Sequence, residues 1–192
     1  RACRVYGLPN EPIFPRFADC AYQGTLEENW RIWGGENKAA EYLVQQIRRY
    51  RPDVIIGHAL DGEYGHPNHV ASALATTKAF AGASDPAMFP VPPGGPAPWT
   101  PKKLYVHRWA TRPMEFRQDV PLPGRNGQTC LELGNLGGRQ HVSQGYADKD
   151  IAELDGPMLT KFGLYSSSVG FDKKGGDLFE NIDLSGYRAP AP

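Results

Sequence analysis

Three of the chain's five histidines, His58, His66 and His69, fall within twelve residues, in the stretch Gly57-His58-Ala59-Leu60-Asp61-Gly62-Glu63-Tyr64-Gly65-His66-Pro67-Asn68-His69. Neutral imidazole is a good zinc ligand, and a second imidazole beside a metal can donate to a developing oxyanion. His66 and His69 stand three apart across a helix start, a spacing that lets both rings point out of the helix N-terminus. Asp61 and Glu63 are further oxygen donors. Tyr64, flanked by Gly62 and Gly65, can swing its hydroxyl over the same space. Polar turn residues often have purely local roles. His58 therefore reads as a strand-end histidine bonded to backbone, Glu63 as a solvated carboxylate, and Asp61-Gly62 as a turn. The functional reading is kept for His66 and His69. An H-x-x-H pair gives two donors where zinc takes three or four. Cys3, Cys20 and Cys130 have no paired spacing, and His107 and His141 are isolated. His107, alternating out of a strand, reads as a surface or structural histidine.

The elements that must position this turn are legible on either side of it. Ala39, Ala40, Leu43, Val44 and Ile47 recur at helical spacing and predict a helix over Glu36 to Tyr50, with Glu36 early and Arg48 and Arg49 late, as the helix dipole favours. Asp53 to Gly57, a short unbroken β-branched run between two helices, predicts a buried parallel strand. Pro67 fits the first turn of the next helix, which Asn68 to Ala81 continues. Open α/β folds place their chemistry where a strand hands over to a helix. Elsewhere the pattern predicts strands over Ile13 to Phe17, Lys103 to Arg108 and Phe162 to Gly170. It also predicts a helix opening in Gly137 to Tyr146, a turn into a closing segment at Gly175 to Asn181, and a proline-rich excursion, ordered or flexible, from Gly82 to Pro101.

At 192 residues the chain is long enough for one domain with a proper core, and one domain over 1–192 is the simplest reading. Its 21 basic and 21 acidic residues give a formal net charge of zero, which offers no footprint for nucleic acid or an anionic membrane. A small or neutral partner is the default. No apolar run approaches the roughly 18 residues of a membrane span. Three widely spaced cysteines argue against a disulfide framework and a zinc ribbon. The start, from Arg1 to Pro9, reads as the last turns of a helix stopped by Gly7 and Pro9. The expectation is an N-terminally incomplete domain, which leaves the compartment, cytoplasmic or secreted, open.

Arg51-Pro52-Asp53-Val54-Ile55-Ile56-Gly57-His58, followed by Gly62-Glu63-Tyr64-Gly65-His66-Pro67-Asn68-His69, closely resembles the second signature of the PIG-L (LmbE-like) deacetylases. His141-Val142-Ser143-Gln144 resembles that family's H-x-S-Q helix, and the stretches 162–165 and 176–181 resemble its C-terminal segment. The resemblance implies a Rossmann-like three-layer α/β sandwich with a mainly parallel sheet. It also implies one zinc ion and hydrolysis of N-acetyl groups on glucosamine-type, small-molecule amino-sugar substrates. Residue by residue, it makes His69 a zinc ligand and His66 the histidine beside the metal that stabilises the oxyanion. Tyr64 becomes the mobile tyrosine near the substrate carbonyl, and Asp19 a loosely aligned sugar contact.

Two departures accompany the resemblance. The family usually has Asp where this chain has Asn68, which would weaken tuning of the metal. The family's first signature, A-H-P-D-D-E, which supplies two more zinc ligands and the general base, does not occur in this sequence. The expectation is a fragment lacking the first strand, completed by that segment or in an oligomer, and inheriting one of three protein ligands. Alone it would bind zinc weakly and be inactive. The competing expectation is a non-catalytic binding or assembly protein of the same fold.

Overall fold

The run with apolar residues at helical spacing folds as the helix Glu36–Tyr50, and the alanine-rich run after the histidine turn as the helix Pro67–Gly82. The computed structural model describes residues 1–21, 23–148, 159–173 and 176–187. In order, the elements are α1 (Ala2–Val5), α2 (Leu26–Trp33), α3 (Glu36–Tyr50), β1 (Val54–Gly57), the short turn α4 (Gly62–Gly65), α5 (Pro67–Gly82), β2 (Lys103–His107), β3 (Pro113–Arg117), α6 (Cys130–Gly138), a 3-10 turn (Val142–Gln144) and β4 (Leu159–Ser167). By contacts the chain divides into two units. One is Arg1–Arg16 with Glu115–Thr160; the other is Phe17–Met114 with the residues from Lys161 onward.

The strands form a mixed sheet in the order β1-β2-β4-β3, and β1, β2 and most of β4 lie in the larger unit, an α/β fold. β1 and β2 pair in parallel, Val54 with Lys103 through Gly57 with Val106. β2 and β4 pair antiparallel, with a register shift between Leu104 and Tyr105. Beside the sheet, α3 and α5 pack along each other: Ala40, Val44 and Ile47 meet Ala79 and Ala83. The alanines allow a close helix approach, because interaxial distance follows side-chain size at the contact. A second cluster joins Trp33 of α2 to Ala39, Ala71 and Ala75, and covers Phe17 and Leu26. Tyr105, Met114 and Leu164 close a third around Val54, Phe162 and Leu178. Each fully buried aliphatic side chain in such clusters contributes about 1.5–3 kcal/mol.

The proline-rich stretch is pinned at both ends. Phe89 is buried against α3 and α5, Trp99 donates its indole N–H to the Pro52 carbonyl at 2.8 Å, and its backbone N–H bonds the Ala83 carbonyl at 3.2 Å. Arg48 is buried at the end of α3 and donates to the carbonyls of Ala83 at 2.9 Å and Phe89 at 2.7 Å. The late arginine thus holds the chain leaving α5, beyond any dipole effect.

Four expectations need correction. The strand expected to be buried over Asp53 to Gly57 is parallel to β2 but stands at the edge of the sheet, with Ile56 exposed. Residues 13–17 form no strand: Ile13 and Phe14 are exposed, and Pro12 and Pro15 deny a ladder its donors. The helix expected from Gly137 lies earlier, as α6, because Thr129 and Glu132 form a capping box that starts it, and only a 3-10 turn follows at Val142–Gln144. The strand expected over Phe162 to Gly170 is β4, which begins at Leu159 and stops at Ser167. Gly175 of the closing turn lies outside the described residues; Asp177 to Glu180 does turn, Glu180 N–H bonding the Asp177 carbonyl at 3.2 Å.

The smaller unit holds α1 and α6. Tyr6 lies against Gly137, and Arg125 donates to the Tyr6 carbonyl at 2.9 Å. Among the described residues, no helix is long and apolar enough to cross a membrane.

Candidate functional site at the histidine turn

Parallel pairing of Gly57 with Val106 brings the carboxyl ends of β1 and β2 out side by side, so His58 and His107, each one residue further, emerge at the same edge. The chain then folds back: Gly62 N–H bonds the Ala59 carbonyl at 2.9 Å, and Asp61 accepts from the Glu63 N–H at 2.8 Å. Gly62 has φ +71°, and a Cβ there would come within 2.6 Å of Val70. Glu63 itself sits at φ 69°, ψ −48°, where a side-chain-bearing residue is strained. Three partners hold it there besides Asp61. Its Oε1 accepts from His107 Nδ1 at 2.7 Å and lies 3.2 Å from His58 Nδ1, and its carbonyl accepts from Arg108 at 2.6 Å.

His66 is the N-cap of α5, with Pro67 following at the first helical position. Its Nδ1 accepts from the Asn68 N–H at 3.2 Å, so the proton of the neutral ring is on Nε2. His69, in the first turn of α5, lies between two other rings. His58 stacks on it at 4.5 Å and 14°, His66 at 5.0 Å and 20°, and Tyr64 meets it edge-on at 5.1 Å. Tyr64 is exposed.

Burial, followed by the neighbouring His58 and His66, pushes the His69 pKa down against the opposing pull of Glu63 and the Gly62 backbone. His69 is thereby kept neutral, the form that ligates metals. Its Nδ1 is buried and has no hydrogen-bond partner. Burial pushes the Glu63 carboxyl up, but the hydrogen bonds from His107 and His58 outweigh it and the net shift is down. One donor atom each from His58, Glu63 and His69 lie within 4.8 Å of one another. Two imidazoles and one carboxylate, three donors in all, are a set that fits the zinc implied by the resemblance.

Asp19 reaches this site through Asn68. The Asn68 amide donates to the Asp19 carboxylate, and its oxygen accepts from the Cys20 N–H at 3.2 Å. Trp33 anchors the same segment through the Ala18 carbonyl at 2.8 Å. The missing charge at position 68 is thus present one hydrogen bond away. His66, His69, Tyr64 and Asp19 are gathered around the start of α5. His141 precedes the 3-10 turn in the smaller unit. The cysteines are free.

The residues passed over are Glu63, His58 and His107. Each was read alone, as a solvated or structural group. The signal that unites them is register: His58 follows the end of β1 and His107 ends the adjacent parallel β2, and that edge is where α/β sheets gather ligands.

The fold and the site together define an α/β unit with a histidine-rich donor cluster at the carboxyl ends of paired parallel strands. No family model matches the chain. It is 36% identical over 146 residues, 73% of its length and 46% of the relative's, to the 1D-myo-inositol 2-acetamido-2-deoxy-alpha-D-glucopyranoside deacetylase 2 of Saccharopolyspora erythraea. The deacetylase of the same description from Thermobifida fusca is 34% identical over 112 residues, 55% of this chain and 37% of the relative. The mycothiol S-conjugate amidase of Streptomyces coelicolor is 39% identical over 77 residues, 40% of this chain and 26% of the relative. The chain thus spans less than half the length of these curated relatives.

Proposed function

We propose that this chain carries part of a zinc-dependent hydrolase site that removes an acyl group from an N-acetylglucosamine-type amide, on a Rossmann-like three-layer fold. The supporting observation is His69 stacked between His58 and His66, with a buried unpartnered Nδ1, at the strand-to-helix edge. The likeness to deacetylases of an acetamido-deoxy-glucopyranoside, and to a mycothiol S-conjugate amidase, supports the substrate class.

Zinc, when bound, supplies Lewis-acid polarisation of the amide carbonyl and activation of water. His69 is the ligand from α5. His66, with its Nδ1 occupied by the Asn68 N–H, presents Nε2–H as the donor to the carbonyl oxygen as it becomes an oxyanion. Tyr64, exposed and edge-on to His69, closes over the acyl group. Asp19, held by Asn68, offers its other carboxylate oxygen to a sugar hydroxyl. Glu63 is committed to two histidines and is not the base. The family resemblance assigns that role to an aspartate of A-H-P-D-D-E, a motif this sequence does not contain. The 192-residue chain by itself is therefore expected not to turn over.

The test is acetate release from an N-acetylglucosaminide by the product of the complete gene. Release should need zinc and fall roughly 100- to 1000-fold in His66→Gln, the usual loss for one oxyanion donor. Undiminished release in that variant would remove His66 from the oxyanion role, and no release from a folded, zinc-loaded product would overturn the reading and favour a binding or assembly role.

A further inference from the structure

We infer that the smaller unit carries a ligand site of its own, a groove between α6 and the loop before it that takes a neutral, hydroxyl-rich ring such as a monosaccharide or a cyclitol. The inference goes beyond the hydrolase reading and uses none of its residues. Every residue lining this groove belongs to the smaller unit, whereas the histidine turn belongs to the larger one.

The groove has two walls. Glu132, Asn135, Leu136 and Arg139 stand at i, i+3, i+4 and i+7, so they share one face of α6 and its C-cap. The other wall is Asn126 to Gln128, in a loop closed by three contacts. Leu122 N–H bonds the Gln128 carbonyl at 2.8 Å, Gln128 N–H bonds the Arg125 carbonyl at 2.9 Å, and Pro121 bridges to Thr129. A polar helix face alone is convex. The loop beside it makes this one a cavity of about 520 Å³, inside the range of about 300–1,000 Å³ of small-molecule sites.

The lining selects the ligand. Five of its side chains are polar and Leu136 alone is apolar, so an apolar ligand would strip water from polar groups and return few hydrogen bonds. Glu132 opposes an anion and Arg139 a cation. Their charges cancel, and seven residues of helix set them roughly 10 Å apart along the axis. A neutral ring of hydroxyls fits what is left. Each hydroxyl both donates and accepts, and each carboxamide sets a donor beside an acceptor, so Asn126 and Gln128 match neighbouring hydroxyls while Leu136 meets the C–H face of the ring.

The wall groups are also pre-positioned. Glu132 Oε2 accepts from the Thr129 N–H at 2.8 Å and the Thr129 hydroxyl at 3.2 Å, in the capping box that starts α6, which leaves Oε1 to accept from a ligand hydroxyl. Asn126 at φ 51° and Gly127 at φ 85° make the turn that carries the loop's amides, and asparagine is among the side chains that tolerate that region. Less ordering is then needed on binding.

The test is NMR of the isotope-labelled 192-residue chain, titrated with myo-inositol and separately with N-acetylglucosamine. The side-chain amide signals of Asn126 and Gln128 should shift together and saturate with at least one probe, and the two arms separate a cyclitol site from a sugar site. Asn126→Gly, which suits the φ of 51°, and Gln128→Ala should each weaken binding about 3- to 10-fold, the loss of one hydrogen bond, with the rest of the spectrum unchanged. N-acetylglucosamine 6-phosphate should bind no more tightly than N-acetylglucosamine. Binding at least about tenfold tighter would make this an anion site and overturn the assignment. No shift at Asn126 and Gln128 with either neutral probe at tens of millimolar, or binding kept within about twofold in both variants, also overturns it. Shifts confined to the His66 and His69 ring signals would overturn it and leave the hydrolase reading standing. Shifts at the groove, with no acetate released by the complete gene product, would leave this site and remove the hydrolase reading.

Discussion

Strand β2 carries two polar clusters of opposite character. Near its start, Lys103 and Tyr105 are fully buried with Asp172. Lys103 Nζ lies 2.5 Å from one Asp172 oxygen, and the Tyr105 hydroxyl donates to the other at 2.5 Å. Arg112 donates to the Asp172 carbonyl and completes the set. At its end, His107 joins the half-open group of Glu63, His58 and His69, whose backbone is strained and whose His69 Nδ1 is unpartnered. The first cluster pairs its lysine charge and its hydroxyl with the two oxygens of one carboxylate. The second has a spare ligand atom and is reachable by solvent. Satisfaction, more than residue type, separates polar groups that hold a fold from polar groups that can act on a ligand.

Stability should divide the two sharply. Asp172→Ala leaves Lys103 buried and unpaired, a loss of about 3–5 kcal/mol. His107→Gln should change stability by under about 1 kcal/mol, the usual scale for a partly exposed pair. Urea denaturation of both variants measures this; equal losses would erase the distinction. Tyr105→Phe comes next, at about 1–3 kcal/mol near neutral pH, because an Asp172 oxygen loses its donor. This residue also sets a pH dependence. Burial first, then the bond to Asp172 and that carboxylate's charge, raise the Tyr105 pKa. Stability from Tyr105 is therefore complete below the unfolded value near 10 and drains as pH rises past it, because the unfolded chain loses the proton first. Denaturation between about pH 8 and 11 should show a shallower alkaline decline in Tyr105→Phe. The same decline in both proteins would place Tyr105 outside a sealed cluster.

How far each region could be read from the sequence follows the same physics. The helix Glu36–Tyr50 was legible to the residue, because its five apolar positions repeat at 3.6 and Arg51-Pro52 stops it. β1, β2 and α5 were legible for similar local reasons. Helix α2 was not, although Thr25 and Glu28 form a capping box, because its interior carries polar Glu27, Asn29 and Arg31 and its burial comes from Trp33 packing on distant alanines. In the site, His66, His69 and Tyr64 stood out through one short stretch. Glu63 could be recognised only with His107, 44 residues away, and that pairing depends on strand register. Asp172 shows nothing in sequence that marks it as the partner of Lys103, 69 residues distant. Local spacing is written in the chain, whereas a partner across a sheet is known only after the sheet exists.

Within the open cluster, the strain at Glu63 gives a smaller test. Glu63→Gly removes two hydrogen bonds to histidine, each worth about 0.5–1.5 kcal/mol, and releases backbone strain of about 1–3 kcal/mol. The two effects oppose, so stability should change by no more than about 1 kcal/mol. In the sealed cluster no substitution has such a compensation. A loss in Glu63→Gly as large as in Asp172→Ala, by the same urea measurement, would mean that the turn is structural.

The smallest expected effect is at the edge of the open cluster. Asn68 gives its amide N–H to Asp19 and its oxygen to the Cys20 N–H, so one side chain ties residues 19 and 20 to the start of α5. An aspartate at 68 could still accept from Cys20 but would face the Asp19 carboxylate, turning an attraction into a repulsion. With Asp19 exposed, the destabilisation by Asn68→Asp should stay under about 1 kcal/mol and shrink as salt screens the two charges. Adding Asp19→Asn to Asn68→Asp restores a donor opposite an acceptor with the roles exchanged, and should recover most of the loss. Denaturation at about 0.05 and 0.5 M salt, on the two single variants and the double, measures the coupling directly. A single variant insensitive to salt, or a double variant no better than the single, would mean that Asp19 does not rest on Asn68, and would free it from the site that the amide at 68 is here argued to complete.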